Sequence, residues 1–251
     1  MPKVVAIHSY RGGTGKSSFT ANLATAVAAK GKRVGVVDID LPSPGIHNIL
    51  NLEVENLQKT LNTYLWGVNS IEETAYEVTK NVGLEGSGHL FLVPSSIRPD
   101  DVARVLKEGY KVSLLHDGFR KLVKSLKLDY LFIDTHPGLS KDTFLSLAIS
   151  HFVILILRPD KQDYQGTAVT VDVARRLKVR KMALAVNKAL TTMNFKKLQE
   201  KIEQVYDVPV AGVFPLSLDV AKLASEGVFI LSNPDHAISQ EFQKVAQQIM
   251  D

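Results

Sequence analysis

Val4-Val5-Ala6-Ile7-His8-Ser9-Tyr10-Arg11-Gly12-Gly13-Thr14-Gly15-Lys16-Ser17-Ser18 is the stretch on which the reading of the whole chain turns. A β-branched apolar run leads into a glycine-rich turn, and an amphipathic segment over Ser17–Lys30 follows. That order, strand then glycine turn then helix, is the one a phosphate cradle requires. Gly12, Gly13 and Gly15 let the backbone curl and aim its N–H groups inward without Cβ clashes. The positive end of the helix that starts near Lys16 points at the same spot. Lys16 supplies charge to the β- and γ-phosphates, and the Ser17 hydroxyl is suited to a magnesium ion. Arg11 through Ser18 is therefore the expected nucleotide-binding segment: Arg11, Gly12, Gly13, Thr14, Gly15, Lys16, Ser17 and Ser18.

Outward from this loop, short apolar runs alternate with helical patterns. Val34–Val37, Tyr130–Ile133, Phe152–Leu157, Met182–Val186 and Val210–Phe214 read as further strands, with another at Leu90–Val93. They are nearly all apolar rather than alternating, as strands covered on both faces are. Val112–Leu126, Gln162–Leu177 and Phe195–Val205 read as helices between them. The pattern predicts an α/β fold, a mostly parallel sheet flanked by helices on both faces, in one domain over 1–251.

Composition narrows the chemistry. The 251 residues are 45% hydrophobic and carry a net charge of +4, with a pI near 9.1. That balance permits a polyanionic partner without requiring one. There is no cysteine, which excludes a disulfide framework, a thiolate zinc site and a thiolate-held iron–sulfur cluster in this stretch. Val4–Ile7 is too short for a signal peptide, and Phe152–Leu157 falls far short of a membrane span, so a cytoplasmic location is expected.

Two acidic strand ends lie where ligands of open α/β sheets bind. Val36-Val37-Asp38-Ile39-Asp40 carries two carboxylates, which strand alternation would send to one side. Tyr130-Leu131-Phe132-Ile133-Asp134 is an apolar strand that delivers one carboxylate, the arrangement that holds a magnesium-bound water in phosphoryl transfer. Either aspartate of the first pair, taken alone, also reads as a helix cap or loop residue. His136 is expected to be a plain loop histidine. Val186-Asn187-Lys188 ends a strand, and Leu190 stands where a guanine-reading aspartate would be; leucine cannot accept from guanine N–H groups.

Arg11-Gly12-Gly13-Thr14-Gly15-Lys16-Ser17 resembles the deviant phosphate loop K-G-G-x-G-K-[ST] of the ParA/MinD partition and positioning ATPases. Tyr10 stands at the first glycine of the standard motif, and Arg11 replaces the lysine that in the family reaches across a dimer to the partner's nucleotide. Arginine keeps the charge on a wider, planar head. The resemblance implies that Asp40 positions the attacking water, and that Asp38 sits in the magnesium and lysine shell with Ser17 and Asp134. It also implies that Thr135-His136-Pro137-Gly138 belongs to the second switch, D-x-x-P-G. Asn187 would contact adenine, and Phe214-Pro215-Leu216 with Asp219 through Gly227 would cover it.

The resemblance further implies an ATP-dependent sandwich homodimer with bound Mg2+. Such a dimer holds a surface and positions or partitions a cargo until an activating or cargo-adaptor protein of the ParB or MinE kind triggers hydrolysis. Arg175, Arg176, Lys178, Arg180 and Lys181 form the densest basic cluster and are the candidates for non-specific nucleoid DNA. A solvated helix end reads the same way, because cations favour helix C-termini. The segment Gln240–Asp251 has mixed charges and no evident membrane anchor. Arg158 and Lys161, after the strand Phe152–Leu157, are candidate second cations at the dimer face. Two other classes stay open: an ATP-dependent metabolic enzyme, for which no second catalytic constellation is visible, and a non-hydrolysing regulatory module marked by Arg11.

Overall fold

Consecutive strand residues bury into opposite layers, which is why the strands read as unbroken apolar runs. The computed structural model describes residues 2–251. From the N-terminus come β1 (Lys3–His8), α1 (Lys16–Ala28), β2 (Arg33–Asp38), two short helices α2 (Ile46–Ile49) and α3 (Leu61–Leu65), β3 (Tyr76–Glu77) and β4 (His89–Val93). Next are α4 (Pro99–Glu108), α5 (Ser113–Ser125), β5 (Tyr130–Asp134), α6 (Lys141–Ile149), β6 (Phe152–Leu157), α7 (Lys161–Arg176) and β7 (Met182–Ala189). The chain closes with α8 (Phe195–Tyr206), β8 (Val210–Pro215), α9 (Leu218–Leu223), α10 (Phe229–Ser232) and α11 (Ala237–Met250). The strands form one sheet in the order β3-β4-β2-β5-β1-β6-β7-β8. Only β3 runs antiparallel, on the edge beside β4.

Every strand expected from the sequence is present; the two-residue β3 was not foreseen, being too short to show a period. Val5, Ile7, Val34, Val36 and Phe132 pack under α1, α10 and α11. Their neighbours Val37, Leu131 and Ile133 turn to the other face, under α3 and α5, and Ala6, Val153 and Leu155 under α7 and α8. The C-terminal helix α11 buries Ile238, Phe242, Val245, Ala246 and Ile249. Phe242 closes an aromatic cluster with Phe19 and Phe214, at centroid separations of 4.6–5.0 Å. That burial explains why the helix is apolar on one side only, as a packing helix should be. No helix among the described residues is long and apolar enough to cross a membrane.

The topology places the site. From central β1 the chain runs outward to β2 and β4, returns to insert β5 beside β1, and then builds β6, β7 and β8 on the opposite side. The reversal at β1 opens a crevice above the carboxyl ends of β5, β1 and β6. Registers Ile7↔Asp134 and Asp38↔Asp134 bring two acidic strand ends side by side there.

Candidate functional site

Two left-handed residues shape the loop between β1 and α1: Gly13 at φ 75° and Gly15 at φ 93°. Gly15 has a second reason to be glycine, since a Cβ there would come within 2.7 Å of Asn187 Nδ2. Asn187 Nδ2 donates to Thr14 O at 2.8 Å, and its Oδ1 accepts from Lys188 N at 2.9 Å. Lys188 Nζ donates to Gly13 O at 2.8 Å. The end of β7 thus braces the phosphate loop from beside it. Asn187 also lines a cavity of about 330 Å³ with Ser18, Phe19, Phe214 and Pro215. Its place is therefore both strut and wall, with one Oδ1 lone pair left for a base. Leu190 is exposed rather than aimed into that cavity.

Under the loop lies a buried polar layer. Lys16 is 7% exposed, and its Nζ stands 3.9 Å from Asp40 Oδ2. Asp38 and Asp134 are fully buried. Asp134 Oδ1 accepts from Thr20 Oγ1 at 3.1 Å, with the Ser17 hydroxyl near this carboxylate. Asp38 Oδ1 accepts the backbone N–H of Asp40 at 3.0 Å. Their second oxygens, Asp38 Oδ2 and Asp134 Oδ2, have no partner in the protein. Burial, reinforced by the carboxylate of Asp134, holds Asp38 well above the ordinary carboxylate range. Burial also raises Asp134, against the pull of Lys16. Orphaned buried carboxylate oxygens beside a serine hydroxyl are the donor set a hydrated magnesium needs, because that ion keeps waters and takes few direct protein oxygens. Strand alternation does not extend to Asp40, which lies beyond the end of β2.

The sharpest departure from the sequence reading is His136. It is not a plain loop histidine: its Nδ1 lies 2.7 Å from Asp40 Oδ1. The hydrogen bond to Asp40 raises its pKa. No periodicity or motif signals this, because the two residues lie 96 positions apart.

Three expectations about cations also change. Arg158 donates through Nε and Nη2 to Asp163, at 3.1 and 3.2 Å, with its backbone N–H on the same carboxylate. It is a clamp on the start of α7, not a cation free for a partner. Lys161 is exposed at the first turn of α7, without an ion pair among the described residues. Arg11 is partly exposed, 3.6 Å from Asp163 and 3.8 Å from Asp160. In the basic cluster, Arg175 donates to the carbonyls of Tyr206 and Asp207. Lys181 reaches Gln248 O and lies 5.2 Å from the Phe152 ring centre. Both satisfy carbonyls that helix ends leave open, so Arg176, Lys178 and Arg180 are the exposed, unpaired remainder among the described residues.

His8 is the buried group with a measurable pH signature. Thr135 Oγ1 donates to Ile7 O at 2.9 Å, so its oxygen accepts from His8 Nδ1 at 2.7 Å. His8 Nε2 is left unprotonated and without a partner. Burial, then the charge of Lys16 and of His136, drives the imidazole pKa down to about 3. A histidine lowered on folding takes up its proton in the unfolded chain first, so the stability it contributes falls as pH drops from about 6.5 towards 3. Asp38 and Asp134, raised on folding, act in the opposite direction. Comparison with His8→Gln isolates the imidazole. In denaturant melts between pH 7.5 and 4.5, the wild type should lose ground against the variant by up to about 1.4 kcal/mol per pH unit below 6.5. A constant difference between the two would contradict a neutral buried His8.

The sequence profile described as ParA: NUBPL iron-transfer P-loop NTPase matches residues 1–250. An uncharacterised ATP-binding protein of Methanocaldococcus jannaschii is 28% identical over 251 residues, spanning 100% of this chain and 88% of that one. An iron–sulfur cluster carrier protein of Deinococcus radiodurans is 28% identical over 262 residues, spanning 98% of this chain and 68% of the carrier. The septum site-determining protein MinD of Pyrococcus horikoshii, solved with Mg-ADP, shares the fold. It has a TM-score of 0.82 at 21% identity, over 99% of this chain and 96% of that one. The glycine loop with Lys16, the acidic strand ends beneath it and a match over the whole length agree: the chain belongs to the ParA/NUBPL family of P-loop NTPases.

Proposed function

We propose that the chain is an ATPase that closes into a homodimer around ATP and Mg2+, holds a polyanionic surface while closed, and lets go on hydrolysis. The observation that carries this reading is the layer beneath the phosphate loop. There Lys16, Asp38, Asp40 and Asp134 converge, with two carboxylate oxygens unpartnered. Magnesium would be held by Ser17, with Asp134 and Asp38 behind its waters, and would offset phosphate charge. Lys16 neutralises the phosphates, and the carboxylate of Asp40 accepts a hydrogen bond from the attacking water and orients it. Asn187 and Pro215 line the base cavity. Two triphosphates brought face to face need positive charge from both subunits, and Arg11 at the open edge of the loop supplies it once it leaves Asp160 and Asp163. Lys161 is the second candidate.

A carrier of iron–sulfur clusters is the other reading that the relatives raise. Such clusters are held by cysteine thiolates, and these 251 residues contain none. Positioning of a cargo on DNA is favoured by the unpaired cations Arg176, Lys178 and Arg180, which lie where α7 leads into β7, at the sheet edge opposite the nucleotide. With ATP, the protein should bind duplex DNA without sequence preference and release it as salt rises. The triple change Arg176→Glu, Lys178→Glu, Arg180→Glu should weaken binding at least about tenfold, since each phosphate contact adds to the salt-dependent affinity, while ATP turnover without DNA stays the same. Full DNA affinity in the triple variant, measured by fluorescence anisotropy, would remove DNA as the surface.

A further inference from the structure

The carboxylate assigned to the attacking water has two side-chain neighbours, and they are not equivalent. Lys16 Nζ is 3.9 Å from Asp40 Oδ2, too long for a hydrogen bond. His136 Nδ1 is 2.7 Å from Asp40 Oδ1, short enough for a charge-assisted one. A carboxylate only accepts, so the imidazole donates, and an Nδ1–H donates whether or not Nε2 carries a proton. The histidine, rather than the lysine, sets the direction in which the carboxylate points.

Both ends of this bond come from pinned backbone. The Asp40 N–H is held by Asp38 Oδ1 at 3.0 Å. On the other side, Thr135 is tied to β1 through Ile7 O, at 2.9 Å, and His8 Nδ1, at 2.7 Å. Gly138 N donates to Ser9 O at 3.2 Å, which secures the far end of the turn. His136 therefore spans a short segment fixed before and after it. That segment begins at Asp134, whose second carboxylate oxygen is buried and unpartnered.

From this geometry we infer that His136 is a positioning residue for hydrolysis: it holds Asp40 by Oδ1 and so leaves Oδ2 turned towards Lys16 and the reacting phosphate. Without it the carboxylate is free to rotate about its side-chain torsions and no longer presents Oδ2 to the attacking water. The inference rests on the assignment of Asp40 to the attacking water. It adds a specific dependence: the segment that carries the magnesium-side aspartate also aims the water-side one.

The test uses the full chain with ATP·Mg2+ and phosphate release as readout. His136→Ala should lower kcat at least about tenfold, as loss of an orienting hydrogen bond does, with KM within about twofold, because the phosphate cradle is untouched. His136→Asn places an amide N–H at the same δ position and should restore most of kcat; a histidine that merely filled space would not be rescued this way. In an Asp40→Ala background, His136→Ala should have no further effect, because its partner is gone. Melting temperatures check that each variant is folded. Wild-type or faster turnover in His136→Ala, no rescue by asparagine, or an equal loss in the Asp40→Ala background would each overturn the inference. Wild-type turnover in Asp40→Ala alone would overturn the assignment of Asp40 and, with it, this inference. An Asp40→Ala collapse with an unaffected His136→Ala would overturn only the latter.

Discussion

Asp40→Ala should bind ATP as tightly as the wild type and hydrolyse it at least about 100-fold more slowly, the range in which removal of a positioned base or orienting group falls. The carboxylate touches Lys16 only loosely, at 3.9 Å, and contributes nothing to the glycine cradle or to the base cavity. Binding therefore has no reason to fall; the lysine, relieved of a nearby acid, meets the phosphates as well or better. Hydrolysis loses the one ionisable oxygen pair that faces Lys16 from outside the buried Asp38–Asp134 layer. Fold should survive, because Lys16 keeps Asp134 as a nearby counter-charge and His136 is about one-third exposed, open to water. The check is ATP affinity by calorimetry alongside steady-state phosphate release. Undiminished turnover would move the water-positioning role elsewhere, with Asp38 the next candidate.

Lys16→Ala should abolish ATP binding at working concentrations. Lys16 is nearly buried, and it faces two carboxylates, Asp40 and Asp134. Its ammonium is the one buried positive charge in that layer, and it also counters the burial that raises Asp134. Each charge-assisted hydrogen bond it would make to the phosphates is worth about 1.5–3 kcal/mol, and at about 1.4 kcal/mol per factor of ten two of them exceed a 100-fold loss of affinity. Without the lysine the phosphates would also approach these acids with no counter-charge. Removing one member of a buried charged set weakens the fold as well. Lys16→Arg separates the effects: it keeps the charge but carries it on a wider, planar head instead of a compact ammonium. Calorimetry on both variants, with melting curves, gives the answer; ATP affinity within about tenfold of wild type in Lys16→Ala would contradict the role of the lysine.

The strands and the site are encoded in the sequence in different ways. β1, β2, β5, β6 and β7 were legible because each is a short apolar run ended by a glycine, a carboxylate or a polar turn, and a run covered on both faces has no other way to be written. The phosphate loop was legible because its chemistry is local: Gly13 and Gly15 take left-handed backbone, and Lys16 and Ser17 follow within two residues. The rest of the site is made by contacts far apart in the chain. His136 reaches Asp40 across 96 positions, and Asn187 reaches Thr14 across 173. Only the strand order sets those pairs together. The basic residues show the same limit from the other side: Arg158 and Arg175 look like free cations in the sequence, and each is held by neighbours that folding supplies, Asp163 and the end of α8. The absence of cysteine, by contrast, is complete in the sequence.

The most direct test of the nucleotide-driven dimer is the mass of the Asp40→Ala protein in light scattering after size exclusion, with ATP·Mg2+ and then with ADP·Mg2+ in the running buffer. Trapped before hydrolysis, it should elute at twice the 27.6 kDa subunit mass with ATP, and as a single subunit with ADP. The same mass with both nucleotides, whether one subunit or two, would contradict the account.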